Sequence, residues 1–337
     1  MLDINICSQK SDSEKPLVLG LFIDQKVEID HLLDHDIEEL IKNKLVKLEL
    51  GEVNKITTLS KIKNKVIYII GLGEKEKYSQ EKMKEATKNI NSALGKEVII
   101  DFDSFIGNLD VQEAAFNFIL NVHYYNYKYD EFLSKKIEND VSWELVTKHE
   151  IKQTAIEAMN LAVAIDNTRD LVNKPYNALS AIELANYSQD LVNTLDSKKV
   201  TIQIFDKKQI EALKMGAFLA VNKGSTCEPR LIAIKYQGLE EWKEPIALVG
   251  KGIMYDTGGY SIKTSMNTMK CDMAGAATVL GVLESLVKNE VKVNVLVVIC
   301  ATDNRINGEA LLPDDIITAM NGKTIEIVST DAAVSYT

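Results

Sequence analysis

Proline, cysteine and histidine are all scarce in this chain of 337 residues, with five, four and four copies respectively. So few prolines, beside only 17 glycines, exclude collagen-like and Pro/Gly-rich disordered classes. The cysteines, Cys7, Cys227, Cys271 and Cys300, stand far apart and form no C-x-x-C pair. That argues against a disulfide framework and against a thiolate zinc site, and free thiols suit a reducing compartment. His31, His35, His123 and His149 all fall in the first 150 residues. A catalytic part located later must therefore work without histidine, which removes Ser-His-Asp, Cys-His and His-rich zinc sites from that half. No apolar run approaches the ~20 residues of a membrane helix. The start, MLDINICSQKSDSEKP, has no basic segment followed by an apolar one, so neither a signal peptide nor a membrane partner is expected. Positive charge is also in deficit, 39 Lys+Arg against 49 Asp+Glu. A phosphate-backbone binder needs a basic face, so nucleic acid is not the expected partner, and the expected location is the cytoplasm.

What is present is an ordinary globular mix, 46% hydrophobic and 26% charged. At ~100–200 residues per domain it predicts two domains. Val66 to Leu72 and Glu97 to Asp101 read as buried strands. Ser79 to about Leu94 and Asp110 to about Tyr125 read as helices. The stretch from Tyr124 to Asp140, rich in Tyr, Lys, Asp and Glu, reads as a linker or surface excursion between domains. Ile151 to Asn173 has the period of a long helix, ended at Asn173-Lys-Pro. Leu231–Tyr236, Ile246–Val249, Val293–Cys300 and a short run from Thr324 read as strands, and Ala274–Lys288 as a helix with small residues at its start. The nearly continuous apolar run to Cys300 is what helices on both sheet faces require. The expected fold class is α/β throughout, an N-terminal α/β domain over 1–150 and a second α/β domain over 151–337.

The chemistry concentrates between Leu248 and Gly281, LVGKGIMYDTGGYSIKTSMNTMKCDMAGAATVLG. An apolar strand runs into a glycine-rich loop carrying Lys251, Asp256, Lys263 and Asp272, and a small-residue helix follows. Ligand sites in open α/β sheets lie beyond the carboxyl ends of strands, where this loop would be. Three readings are open on the residues alone. The charges could be solvated loop residues. They could bind phosphate, although G-x-x-x-x-G-K-[ST] is absent. They could be hard oxygen ligands for Zn, Mn or Mg, with a carboxylate bridging two ions.

This segment resembles the metal-binding core of the leucine aminopeptidase (cytosol aminopeptidase) family, VGKGxxFDSGGxSxK…MxxDMGGAA. Asn167-Thr-Arg-Asp-Leu-Val-Asn-Lys-Pro-Tyr-Asn is similar to the family's RDLVNxPxN stretch. Met215 to Ser225, Pro229-Arg-Leu, Leu312-Pro-Asp-Asp and Asn321 to Ala332 extend the likeness, in order, from about Asp166 to Ala332. The first ~150 residues fit the family's N-terminal domain by position and type only. The resemblance implies an α/β/α metallopeptidase domain with a mixed central sheet. It implies an aminopeptidase that releases N-terminal, large apolar, leucine-like residues from peptides. Lys251, Asp256, Asp272 and Asp331 would hold two divalent ions (Zn or Mn, with Mg a further candidate), Asp256 bridging them. Lys263 would be the catalytic cation at the tetrahedral intermediate, and Met269 would line the pocket for the first side chain. A bicarbonate ion as base and a homo-hexamer are implied in the same way.

Each of these residues also has a plainer role. Lys251 and Lys263 could be solvated, Asp256 could make a turn with Thr-Gly-Gly, and Asp272 could cap the following helix. Met269 could fill a core and Asp331 could close a strand. Asp303, Asp314 and Asp315 read as surface or turn carboxylates, and the cysteines as inert apolar residues. Two features depart from the family. Where its second motif reads NTDAEGRL, this chain has Ser329-Thr-Asp-Ala-Ala, so Ala333 replaces a bridging glutamate and the arginine is missing. The loop from Lys263 to Asp272 is also two residues shorter. The second domain is therefore expected to be incomplete at its C-terminus, and a catalytically inactive homologue acting as a binding or scaffold protein is the alternative. A weaker third reading is a nucleotide or ADP-ribose binder through residues 1–150.

Overall fold

The computed structural model describes residues 2–90, 94–137 and 141–331. The chain divides into two compact units, Met1–Ala162 and Val163–Thr337. The division falls inside the 22-residue helix Lys152–Asn173.

The first unit is built on six strands: β1 (Leu2–Cys7), β2 (Leu17–Leu21), β3 (Val53–Thr57), β4 (Val66–Gly71), β5 (Glu97–Asp101) and β6 (Val141–Val146). Their order is β1-β6-β5-β2-β4-β3. All pairings are parallel except that of β3 with β4. Side chains alternate across this sheet with the period of two that a strand imposes. Ile100 thus joins a core with Val18, Ile70 and Phe118, while Ile99 joins the opposite core with Leu19, Ile69 and Ile37. The helices are α1 (Asp34–Lys42), α2 (Gln80–Lys88), the short α3 (Asp103–Ile106) and α4 (Val111–Asn126). Ser79 caps α2 and Asp110 caps α4 through their side-chain oxygens, satisfying N–H groups the first turn leaves open. The Tyr124–Asp140 stretch corrects the expectation of an inter-domain linker. Its first three residues end α4, the described residues 127–137 follow it, and β6 pairs with β1 and β5 inside the first unit. Its polar composition marks a surface excursion, which period and charge alone do not tell from a domain boundary.

The second unit follows α5 (Lys152–Asn173) with α6 (Ala181–Leu195), β7 (Val200–Phe205), α7 (Lys207–Ala212), α8 (Gly216–Asn222), β8 (Arg230–Gln237), β9 (Ile246–Asp256), α9 (Ala274–Lys288) and β10 (Asn294–Asn304). A small two-stranded ribbon, β11 (Ile316–Thr318) and β12 (Thr324–Glu326), completes it. The central sheet has the order β7-β8-β10-β9 and is mixed: β9 runs parallel to β10, while β8 is antiparallel to both β7 and β10. On one face Val295, Val297 and Ile299 pack with Leu184 of α6 and Leu280 and Leu283 of α9. On the other, Val298 and Cys300 pack with Phe218 of α8 and Ile210 of α7. Each fully buried aliphatic side chain contributes about 1.5–3 kcal/mol. Helices on both faces explain the unbroken hydrophobicity of β10.

Candidate functional site

β9 and β10 end side by side with Asp256 opposite Asn304, so the carboxyl end of this parallel pair delivers polar side chains to one place. The register shifts there, between Thr302 and Asn304, one of the local irregularities that re-aim side chains. Asp256 is only 2% exposed. Its Oδ1 accepts the Gly258 amide at 2.8 Å and the Asn304 Nδ2 at 2.8 Å. The Gly258 bond is the expected Asp turn, and φ of +84° at Gly258 shows why glycine stands there. The turn and the site are thus compatible uses of one carboxylate.

Lys263, in the loop after β9, brings its Nζ to 3.4 Å from Asp256 Oδ2 and pairs with Asp331 Oδ1. Its pairing with Asp331 raises the ammonium pKa, burial opposes that, and the charge of Asp256 adds to it. Lys251, within β9, lies 3.2 Å from Asp272 Oδ2. Asp272 sits in the short 3-10 segment Met269–Met273 immediately before α9. It donates no cap: the residue at the α9 N-cap is Met273, with no side-chain capping bond. Burial pushes the Asp272 carboxyl upward, Lys251 opposes this, and the nearby Asp256 charge reinforces it. Two aspartates sharing one enclosed space therefore lie between two lysines.

The approach of Asp272 to Lys251 depends on two missing side chains. A Cβ at Gly275 would lie 2.9 Å from Lys251 N, and one at Gly250 would lie 2.8 Å from Ala276 Cα. These separations are too short for real Cβ contacts, so only glycine lets the start of α9 settle on β9.

The structure thus brings Lys251, Asp256, Lys263, Asp272 and Asp331 into one chain of contacts. Among the described residues no three His, Cys, Asp or Glu side chains converge as a metal-binding set on their own. The geometry shows the reason: the Lys263 ammonium stands against both Asp256 and Asp331, and Lys251 against Asp272. The residues nevertheless suit hard divalent cations. Asp272 Oδ2 and Asp331 Oδ1 are buried oxygens that each face a lysine ammonium, so positive charge is already drawn to them. Carboxylate oxygens gathered in this way are the hard donors that divalent cations take. Met269 is half-buried at the start of the 3-10 segment that carries Asp272. An apolar cavity of about 670 Å³ does adjoin Lys251, lined by Met215, Phe218, Ile253, Val298 and Met320, but Met269 is not among its lining residues. Ala333 lies outside the described residues.

Asp303 corrects the expectation of a surface carboxylate. It is 1% exposed and accepts hydrogen bonds from Tyr176 Oη (3.0 Å), Arg305 Nε (2.8 Å) and Ser225 Oγ. Arg305 in turn lies 4.1 Å from the Tyr176 ring centre and 4.9 Å from that of Tyr255, a cation held by two aromatic faces. Asp314 and Asp315 do lie in a turn, where Asp315 Oδ2 accepts the Leu312 amide. Asn304 and Thr330, which bind Asp256 and its loop, were not singled out from the sequence. A polar Thr-Asp-Asn ending an otherwise apolar strand is the signal that could have marked Asn304.

Comparison with known proteins finds relatives over most of the chain. A family model described as the cytosol aminopeptidase family, catalytic domain, matches residues 166–334, and the N-terminal domain of the same family matches residues 18–136. The chain is 38% identical to a "Probable cytosol aminopeptidase" of Bacillus subtilis (strain 168), covering 96% of this chain and 68% of that protein. It is 37% identical to the protein of the same name from Bacillus licheniformis, covering 95% of this chain and 68% of that protein. Among solved structures, the bottromycin maturation enzyme BotP superposes with a TM-score of 0.81 at 22% identity, over 95% of this chain and 66% of that one. The same enzyme in complex with Mn superposes equally well. The chain thus spans about two thirds of the length of the proteins it matches.

Proposed function

Since the chain belongs to the cytosol aminopeptidase family, we propose that it is a metallo-aminopeptidase releasing N-terminal, leucine-like residues from peptides. The observation that carries this reading is the convergence of Lys251, Asp256, Lys263, Asp272 and Asp331 at the carboxyl end of β9 and β10. Lys251, Asp256, Asp272 and Asp331 would hold two divalent ions, Zn or Mn, with Mg a further candidate. When bound, such ions lower the pKa of water and polarise a carbonyl. The protein's own part is positional. The Gly258 amide and Asn304 fix one oxygen of Asp256, leaving Oδ2 turned toward Lys263. Lys263, held charged by its carboxylate neighbours, is placed to stabilise negative oxygen developing on the substrate carbonyl. Burial of Asp256 strengthens its interaction with Lys263 by keeping the local dielectric low. Met269 is proposed to face the first side chain of the substrate. A bicarbonate base, a homo-hexamer and a cytoplasmic location belong to the same reading. No helix among the described residues is long and apolar enough to cross a membrane.

The inactive-homologue alternative finds no support in the relatives, which are named as aminopeptidases. Metal content and a leucine-anilide assay test the proposal. Wild-type protein should hold metal and release leucine, and Asp256→Ala should lose both. Full activity in Asp256→Ala would refute the proposed site.

A further inference from the structure

We propose that Asn304 is a positioning residue for the candidate metal centre, holding the carboxylate of Asp256 and the segment that delivers Asp331 in a single register. This inference rests on the metal reading of the site given above. Asn304 is buried at the end of β10. Its Nδ2 donates to Asp256 Oδ1 at 2.8 Å and to the Thr330 carbonyl at 2.9 Å. An amide nitrogen carries two hydrogens, so these two bonds use its full donor capacity. One acceptor is a proposed ligand itself, and the other belongs to the residue preceding a proposed ligand.

The backbone of Asn304 extends the clasp. Its carbonyl accepts the Thr257 amide at 3.0 Å and the Thr257 hydroxyl at 2.9 Å. Thr330 closes the circuit: its hydroxyl donates to the Gly258 carbonyl at 2.7 Å and accepts the Ser261 amide at 2.8 Å, while its own amide donates to Ser261 Oγ at 3.1 Å. The side-chain amide of Asn304 therefore ties the strand end at Asp256 to the segment leading to Asp331, while its backbone carbonyl and Thr330 hold the loop leading to Lys263.

The consequence for Asp256 is directional. With Oδ1 taken by Gly258 N and Asn304 Nδ2, the carboxylate cannot rotate freely, and Oδ2 is presented toward Lys263. An outer partner that orients a ligand in this way typically changes metal affinity by about 10–100-fold when removed. A purely structural anchor of the same strand end would not single out the metal.

The test compares Asn304→Leu and Asn304→Ala with a neighbouring control, Asp303→Asn, in the full chain. Asp303 anchors the same strand end through Tyr176, Ser225 and Arg305 without touching Asp256. Affinity for Zn²⁺ and for Mn²⁺ is read by competition with a chromophoric chelator, well below each variant's melting temperature. The expected result is about 10–100-fold weaker metal binding in both Asn304 variants, with Asp303→Asn close to wild type. Should the leucine not be accommodated, the alanine variant carries the same comparison. Unchanged affinity in the Asn304 variants, or an equal fall in Asp303→Asn, would overturn the positioning role while leaving the metal site intact. If wild-type protein binds neither ion, the reading of the site fails, and this inference fails with it.

Discussion

His123 gives a direct test of the packing of the first unit. It lies on α4, only 4% exposed, and among the described residues its Nε2 has no hydrogen-bond partner. Burial penalises the charged imidazolium and lowers its pKa from 6.5 to about 4. Between those values the unfolded chain binds a proton that the folded protein refuses. Stability is then complete above the unfolded value, falls as the pH drops through 6.5 toward 4, and becomes level in this contribution below 4. That drop corresponds to about 3 kcal/mol at its limit, and to about 2 kcal/mol lost between pH 7 and pH 5. Replacing His123 with leucine removes this contribution and leaves those of the carboxylates in place. Urea unfolding can be followed by the fluorescence of Trp143, buried in the same unit, in a Trp242→Phe background. Wild type minus variant should change by about 2 kcal/mol between pH 7 and pH 5. Parallel pH profiles for the two proteins would refute the claim that this histidine is buried in its neutral form.

Gly275→Val should push the start of α9 away from Lys251, destabilising the protein by about 1–3 kcal/mol and lowering metal content and peptidase activity together; an active, metal-loaded variant would contradict the proposed closeness of Asp272 and Lys251. Glu284, buried on α9, accepts Asn167 Nδ2 at 2.9 and 3.0 Å and pairs with Lys288 at 2.7 Å. Glu284→Ala should cost about 3 kcal/mol in thermal or urea unfolding by stranding those donors, and a loss within error would show that they find other partners. Burial raises the Cys300 thiol to about 11. Alkylation at pH 8 should therefore be far slower in the folded protein than in urea, and rapid labelling of Cys300 in the native state would argue against its packing on β10 against α8.

Much of the architecture was legible in local pattern. The compact apolar runs at Val66 and Glu97, the helix starts at Ser79 and Asp110, and the small-residue helix from Ala274 correspond to β4, β5, α2, α4 and α9. Each is decided by a period or a terminus that a few neighbouring residues specify. The membership of the Tyr124–Asp140 stretch was not legible, because its place depends on β6 pairing with β1, more than 130 residues earlier. The burial of Asp303 was not legible for a similar reason: its partners Tyr176 and Ser225 come from distant segments.

By itself, the sequence determined the residue types of the candidate site, their order along the chain and the strand that ends at them. Charge type and glycine spacing are local properties and survive in the bare letters. Only the tertiary structure decided which charges meet: Lys251 with Asp272, Lys263 with both Asp256 and Asp331, and Asn304 across to Asp256 and Thr330. Those pairings follow from the parallel register of β9 with β10 and from the close seat of α9 on β9. Register and close packing are set by contacts between distant segments, which local pattern does not encode.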